Sequence, residues 1–421
     1  MLTLDGTLGE GGGQILRTAL TLSLVLGQPF RVVNLRARRT RPGLRPQHLV
    51  CVHAAAAVGG AEVTGAAIGS RDLTFSPRRV EPGDYRFDIG SAGSTTLVAQ
   101  TILPALTMAE RPSRLVISGG THNPLAPPYE FLARAFLPLL VCLGARVEAD
   151  LARPGYYPRG GGELVLRVTP GGPRTPLDLC ERGPPRGCRA TAAVADLPRH
   201  IAERELAVVA RELGWAPSGL RVRIDPTGSG PGNVLVLEME YARVTEVVAA
   251  FGRRGVPAEV VADEAVREAR AYLAGEAPVG SHLGDQLLLP LALAGGAFVT
   301  STPSLHATTN AEVIGRFLAD RLSFAEISPG LWRVEAPARR SQGTEPPVRV
   351  VPSGTPGPRA GLGCSELVEE LAGPSGEGQG EGCNASSPDA RPHQLSPRDG
   401  GEGAMSSQLS AVPDLRKHRH P

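Results

Sequence analysis

Three apolar stretches of this 421-residue chain carry a glutamine at the same phase: GQILRTALTLSL, AQTILPALTMA and DQLLLPLALAG, holding Gln14, Gln100 and Gln286. Four residues further on stand Thr18, Pro104 and Pro290. Each stretch is apolar enough to be a buried helix, and each leads into a strand-like run: PFRVVNL, SRLVISG and AFVTS. A second helical stretch follows in each case, PQHLVCVHAAAAVGG, PYEFLARAFLPLLVCLG and NAEVIGRFLADRL, and then strand-like segments such as AEVTGAAI, ARVEADL and FAEISPGLWRVEA. An internal repeat of this kind constrains the fold more than composition does. It predicts three β-α-β-α-β-β units, each packing two helices on one small mixed sheet, together forming a large α/β (α+β type) domain over residues 1–181 and 277–338.

The third unit is interrupted. Residues 182–276 carry their own pattern: strands at CRATAAVADL, GLRVRIDP and NVLVLEMEY, and helices at ERELAVVARELGW, RVTEVVAAFGRRG and DEAVREARAYLAG. This predicts a smaller α/β domain inserted in a loop of the larger one. From about Arg339 the chain becomes rich in Gly, Pro and Ser, with too little apolar surface to offset the entropy of ordering it. Residues 339–421 are therefore expected to be a disordered tail ending in the basic tip RKHRHP, either an unselected extension or a segment that attracts nucleic acid.

The formal net charge of +2 carries no argument for nucleic acid by itself, so such a case needs a local basic patch. Lys417, close to the C-terminus, is the only lysine. The part expected to fold thus has no Walker A lysine, no Schiff-base lysine and no lysine to adenylate, which excludes lysine-adenylating ligase chemistry. The opening GEGGGQILRT has the glycines of a phosphate cradle ahead of a helix, but not the Lys-Ser/Thr pair of a Walker A loop. The six cysteines form no CxxC pair, which fits reduced cytosolic usage better than a disulfide or zinc framework. The N-terminus shows no signal-type segment, and no run approaches the ~18 apolar residues of a membrane span. A cytoplasmic protein with no membrane partner is expected; the sequence does not set an oligomeric state.

Several residues are candidates for chemistry. His306, in STPSLHATTNAEVI, is delivered by a strand to a helix N-terminus for which Thr308, Thr309 or Asn310 would be the cap. That place suits phosphate and a neutral, nucleophilic imidazole, or simply a hydrogen-bonded structural histidine. Asp285 and Gln286 sit in GSHLGDQLLLP, where Ser281 is a candidate cap and Asp285 near the first turn complements the helix dipole; His282 reads equally as a solvated loop histidine. Gln14, Gln100 and Gln286 on equivalent helices suggest one shared polar centre. Glu10, inside the glycine cluster, is either solvent-exposed or a carboxylate for Mg²⁺. Arg17 sits on the first helix. Arg36, Arg38, Arg39, Arg41 and Arg45, followed by Gln47 and His48, make the one strong basic cluster in the part expected to fold. It is either a solvated loop or a set of guanidinium forks for an anionic substrate, such as the end of an RNA or a nucleotide. Aromatic residues are only 4% of the chain, too few for an extended single-strand stacking platform. The glycine-dense PGYYPRGGGEL reads as a structural turn before it reads as a ligand loop.

Taken together, GEGGGQILR, RPGLRPQHL, GSAGSTTLVAQT, GGTHNP, YYPRGGGE, HLGDQLLLPLALA and LHATTNAEVI resemble, in the same order, the motifs of the RNA 3′-terminal phosphate cyclase family. The resemblance covers about residues 3–338 and agrees with the three repeated units and the insertion. It implies a histidine that attacks the α-phosphorus of ATP to give a histidinyl-AMP, transfer of AMP to an RNA 3′-phosphate to give RNA(3′)pp(5′)A, and attack by the ribose 2′-OH to give a 2′,3′-cyclic phosphate. It implies that His306 is the adenylated residue, and that Gln100 and His282, Leu283, Gly284, Asp285 and Gln286 form the adenylate pocket. Glu10 would face Mg²⁺ (or Mn²⁺), and Arg17, Arg36, Arg39, Arg41 and Gln47 would face phosphates or the RNA end. Members of the family often carry tyrosine where this chain has His282, and the tail has no place in the pattern. A non-catalytic relative acting in ribosomal RNA processing would lack the histidine and the pocket. An enolpyruvyl-type transferase would need six repeats and lysine-rich phosphate contacts.

Overall fold

Strand β1 (Leu2–Asp5), helix α1 (Gln14–Leu26), β2 (Phe30–Val33), α2 (Pro46–Gly59), β3 (Glu62–Thr64) and β4 (Leu73–Ser76) open the chain. The structure, a computed structural model, describes residues 1–225, 230–319 and 321–337, so the tail expected from residue 339 lies outside the described residues. β1 runs parallel to β2, and β4 pairs antiparallel with both β2 and β3. α1 stops at Gly27 and α2 at Gly60, both in the left-handed conformation that glycine adopts without a Cβ penalty.

Next come β5 (Asp84–Asp88), α3 (Thr95–Thr107), β6 (Ser113–Gly119), β7 (Ala145–Arg153) and β8 (Gly162–Pro170). The sheet order is β5-β6-β8-β7, again with one parallel pair followed by two antiparallel ones. Ser94 caps α3, accepting from Leu97 N at 3.2 Å. The helical stretch over residues 128–144 is not one α-helix: it is a π-helical turn at Phe131–Phe136 followed by a 3-10 segment at Leu137–Leu143. Pro138 stands where the two meet, and a proline has no N–H to continue an α-helical ladder.

β9 (Leu177–Leu179) then gives way to the inserted block: β10 (Pro185–Ala195), α4 (His200–Leu213), β11 (Leu220–Ile224), β12 (Gly232–Tyr241), β13 (Thr245–Phe251) and α5 (Ala258–Ala274). Its sheet runs β11-β10-β12-β13. The helix expected at RVTEVVAAFGRRG is instead strand β13. A turn after β12 folds it back antiparallel, pairing Thr245 with Glu240 and Phe251 with Val234. Its β-branched Thr245, Val247 and Val248 suit a pleated strand, and alternation sends Val247 into one apolar core and Val248 into another. The chain closes with α6 (Ser281–Ala294), β14 (Gly296–Ser301), α7 (Leu305–Leu318), β15 (Ser323–Ser328) and β16 (Leu331–Ala336), in the sheet order β9-β14-β16-β15.

The fold is therefore α/β, with helices interspersed among four mixed four-stranded sheets. One apolar core runs beneath the β1–β4, β5–β8 and β9-β14-β16-β15 sheets, and a second lies between the β10–β13 sheet and helices α4 and α5. In the larger core α1 packs against α2, α3 and α7, and α6 packs against α7. This brings the polar residues of three helices together. Among the described residues, no helix is long and apolar enough to cross a membrane.

Candidate active site

Helix α7 starts earlier than the expected caps. Ser304 is its N-cap, its side chain accepting from Ala307 N at 3.0 Å, so Thr308, Thr309 and Asn310 lie inside the helix. A serine two residues before the histidine competes better for the cap because the strand leaves it in an extended conformation. His306 consequently sits in the first turn, and Asn310 one turn further in, buried. Ser281 is likewise the first helical residue of α6 rather than its cap. Gly280 occupies the cap position and its N–H donates to Glu246 Oε2 at 2.9 Å. Asp285, a turn into α6, does not cap the helix: its side chain points to His306.

Asp285 Oδ2 lies 2.5 Å from His306 Nδ1. The aspartate side chain is only 7% exposed, the histidine 35%. Gln14 Nε2 donates to the other oxygen, Oδ1, at 3.1 Å, and Gln286 Nε2 donates to Oδ2 at 3.3 Å. Asn310 Nδ2 donates to the Asp285 carbonyl at 3.2 Å, and Asn310 Oδ1 accepts from the Thr18 hydroxyl at 2.7 Å. A carboxylate only accepts, so the proton belongs on His306 Nδ1 and the lone pair on Nε2. Nε2 has no hydrogen-bond partner among the described residues.

His306 borders a cavity of about 500 Å³, a size suited to a small ligand. Its polar side includes Glu10, Arg17, Glu268, Asp285, Gln286 and His306, with His282 beside them; its apolar side is the 124–128 segment with Phe131, and Val247, Ala249 and Phe251 of β13. The Arg17 guanidinium has no hydrogen-bond partner among the described residues. Burial lowers its pKa, an effect that Cys51 and Asp285 partly oppose. Glu10 pairs with Arg39 at 3.2 Å. Gly9 holds the glycine loop against α7: its φ is +46°, and a Cβ there would lie 1.8 Å from Thr309 Oγ1. Among the described residues no three His, Cys, Asp or Glu side chains cluster as a metal site.

The other candidates divide. Gln100 is not on this cavity. With Gln14, Arg17 and Gln286 it lines a smaller one of about 40 Å³ behind it, where neither of its buried polar atoms finds a partner. Leu283 is fully buried, and Gly284 packs on Thr300 and Phe298, away from the large cavity. His282 is 74% exposed and faces Glu268 at 3.6 Å. Arg36 folds its own loop, donating to the Arg41 and Gly43 carbonyls at 2.9 and 3.0 Å. Arg41 is exposed, and Gln47 Oε1 accepts from Ser94 N at 2.7 Å, tying α2 to the start of α3. His48 is driven to about 3 by burial and by Arg17, Arg36 and Arg45, and is thus neutral. Sequence reading missed a buried network behind the cavity wall: Arg223 Nη1 donates to Glu130 Oε1 at 2.7 Å, and Glu130 also meets His122 Nε2 at 3.0 Å. No sequence signal joins residues from two such distant segments.

The chain is similar to known proteins. The family described as RNA 3′-terminal phosphate cyclase matches residues 8–324. An RNA 3′-terminal phosphate cyclase of Ectopseudomonas mendocina (strain ymp) is 52% identical over 335 residues, covering 79% of this chain and 97% of the relative. One from Koribacter versatilis (strain Ellin345) is 50% identical over 327 residues, covering 77% of this chain and 92% of the relative. The chain belongs to the RNA 3′-terminal phosphate cyclase family.

Proposed function

We propose that His306 is the nucleophile through which this chain activates RNA 3′-phosphate ends at the expense of ATP. The activity is that of its family: ATP-dependent conversion of an RNA 3′-terminal phosphate to a 2′,3′-cyclic phosphodiester. The observation that carries the histidine assignment is the 2.5 Å contact between Asp285 Oδ2 and His306 Nδ1, which leaves Nε2 free at the edge of the 500 Å³ cavity.

In the first step Nε2 attacks the α-phosphorus of ATP. An N–P bond forms, the bond to the bridging oxygen breaks, and pyrophosphate leaves. Asp285 stabilises the positive charge that develops on the ring. An oxygen of the RNA 3′-phosphate then displaces the histidine from phosphorus, giving RNA(3′)pp(5′)A. Finally the neighbouring 2′-OH attacks the 3′-phosphorus, losing its proton and expelling AMP as the ring closes. The apolar side of the cavity, Phe131 and the β13 residues, offers the nucleobase a dry surface. Asp285, Gln286 and His282 border the adenylate, with Leu283 and Gly284 holding their helix in place and Gln100 supporting it from behind. Arg17 meets the phosphates; Arg39 and Arg41, with Arg36 and Gln47 shaping the loop, face the RNA end. Glu10 fits Mg²⁺ (or Mn²⁺) only as one ligand beside substrate oxygens and water, the usual way Mg²⁺ is held. The ion would neutralise charge on the phosphates.

The triple unit of β-α-β-α-β-β, the 182–276 insertion as a domain of its own and a cytoplasmic location belong to the same reading. The shared strand order of three sheets and the separate core of the inserted sheet support the first two. The test is a 3′-phosphorylated oligoribonucleotide with ATP and Mg²⁺. The end should become resistant to phosphatase, with one AMP and one pyrophosphate released per end. An end that stays phosphatase-sensitive while ATP is bound would refute the reading.

A further inference from the structure

Tyr156 and Tyr157 are neighbours placed in opposite ways. Tyr156 is 2% exposed, its ring stacked on His122 with centroids 5.0 Å apart, and its hydroxyl donates to Asp225 Oδ2 at 2.5 Å. Asp225 accepts from Arg223 Nε at 2.8 Å, and Arg223 reaches on to Glu130. Tyr157 is 63% exposed, the most exposed aromatic side chain among the described residues, and its hydroxyl has no partner there. Arg159, two residues on, is also exposed and has no hydrogen-bond or ion-pair partner among the described residues. The loop between them is fixed. Gly160 N donates to the Tyr156 carbonyl at 2.7 Å, and Gly160 has φ +77° with its α-carbon so close to the next loop that a Cβ would lie 2.7 Å from the Ser91 carbonyl.

The loop's position follows from its contacts. Tyr157 N donates to the His122 carbonyl at 3.4 Å, and the chain two residues after His122 becomes the wall of the large cavity. On its other side Gly160 packs on Ser91 and Ala92, just before Ser94, whose N–H bonds Gln47 at the foot of the arginine-rich loop. A rigid loop carrying an open aromatic ring and a guanidinium that rests near Gly230, without a hydrogen-bond partner among the described residues, thus stands between the cavity wall and the basic loop. Single-stranded RNA presents π-faces and phosphates at each nucleotide, and a ring held ready for stacking loses little freedom on binding.

We propose that Tyr157 and Arg159 form a docking surface for the RNA strand upstream of its terminal phosphate, the ring stacking on a base and the guanidinium pairing with a backbone phosphate. This rests on the proposed function only in taking RNA as the substrate. The test compares Tyr157→Ala, Tyr157→Phe and Arg159→Ala with the wild type. Binding of a fluorescein-labelled 12-mer with a 3′-phosphate is measured by anisotropy, and binding of a dinucleotide 3′-phosphate by competition, beside self-adenylation with ATP alone. Tyr157→Ala should weaken the 12-mer roughly ten-fold and Tyr157→Phe hardly at all. Arg159→Ala should lower the salt dependence by about one released counterion. Self-adenylation and dinucleotide binding should stay at wild-type levels. An unchanged 12-mer affinity, or an equal loss with the dinucleotide, would overturn the proposal. A wild type that fails to self-adenylate yet binds the 12-mer in a Tyr157-dependent way would refute the proposed activity and uphold this surface.

Discussion

The Asp285 carboxylate joins two helices: its Oδ2 meets His306 Nδ1 of α7 at 2.5 Å and its Oδ1 accepts from Gln14 Nε2 of α1 at 3.1 Å. The carboxylate is fixed by α1 and in turn fixes the histidine on α7. In Asp285→Asn the amide keeps the shape but can present N–H to Nδ1, favouring the wrong tautomer. Self-adenylation should fall roughly 10²–10⁴-fold, as with carboxylate loss in other histidine relays, while ATP affinity changes a few-fold at most. Single-turnover labelling beside equilibrium ATP binding separates the two. An equal loss in both would make Asp285 a binding residue instead.

The Arg17 guanidinium is a cation at the cavity edge without a hydrogen-bond partner among the described residues. Arg17→Ala should weaken ATP roughly ten-fold or more, and AMP much less, because the contacts proposed for it are to the phosphates. Isothermal titration of both nucleotides distinguishes this from a general loss of the pocket, which would weaken them alike.

Arg223 stands between two buried carboxylates. Burial pushes the Glu130 carboxyl up, but His122 and the Arg223 guanidinium together hold it well below the usual carboxylate range. Removing the cation in Arg223→Met leaves Glu130 and Asp225 without it, and the chain should lose about 3–5 kcal/mol of stability in urea unfolding. Arg223→Met with Glu130→Gln should recover part of that loss. A loss below 1 kcal/mol for the single variant would show the network to be solvated.

Glu246 predicts a pH dependence. Burial raises its carboxyl from 4.5 to about 8, with Glu268 adding to the rise and Gly280 N–H and Arg182 opposing it. Because the folded pKa lies above the unfolded one, the group's stabilising contribution is complete below about pH 4.5. It declines as pH rises through about 8. In Glu246→Gln the unfolding free energy should therefore lose a decline of order 1 kcal/mol per pH unit over this window, by difference from wild type. Parallel profiles for the two proteins would remove the assignment.

The sequence reveals most about the helices and least about side-chain partners. α1, α3 and α6 are readable because long apolar runs have one answer, and the shared glutamine phase marks them as related. Strand β13 reads as a helix in sequence because Val, Ala and Glu in RVTEVVAAF suit either a helix face or a pleat, and only pairing with β12 decides. His306 and Asp285 stand out through their motifs, but the motif does not show that Asp285 binds the ring rather than capping α6. That depends on Ser304 starting α7 early, a choice between competing hydroxyls. Arg36 and Gln47 look like ligands in sequence because a loop arginine that bonds its own carbonyls is indistinguishable there from one facing solvent.

The most direct measurement of the central claim is retention of label from α-labelled ATP on the denatured protein, with His306→Ala alongside. Label that is acid-labile, base-stable and absent from the variant is the predicted result, and it places AMP on the imidazole. Label that persists undiminished in His306→Ala would contradict the account and put the nucleophile elsewhere.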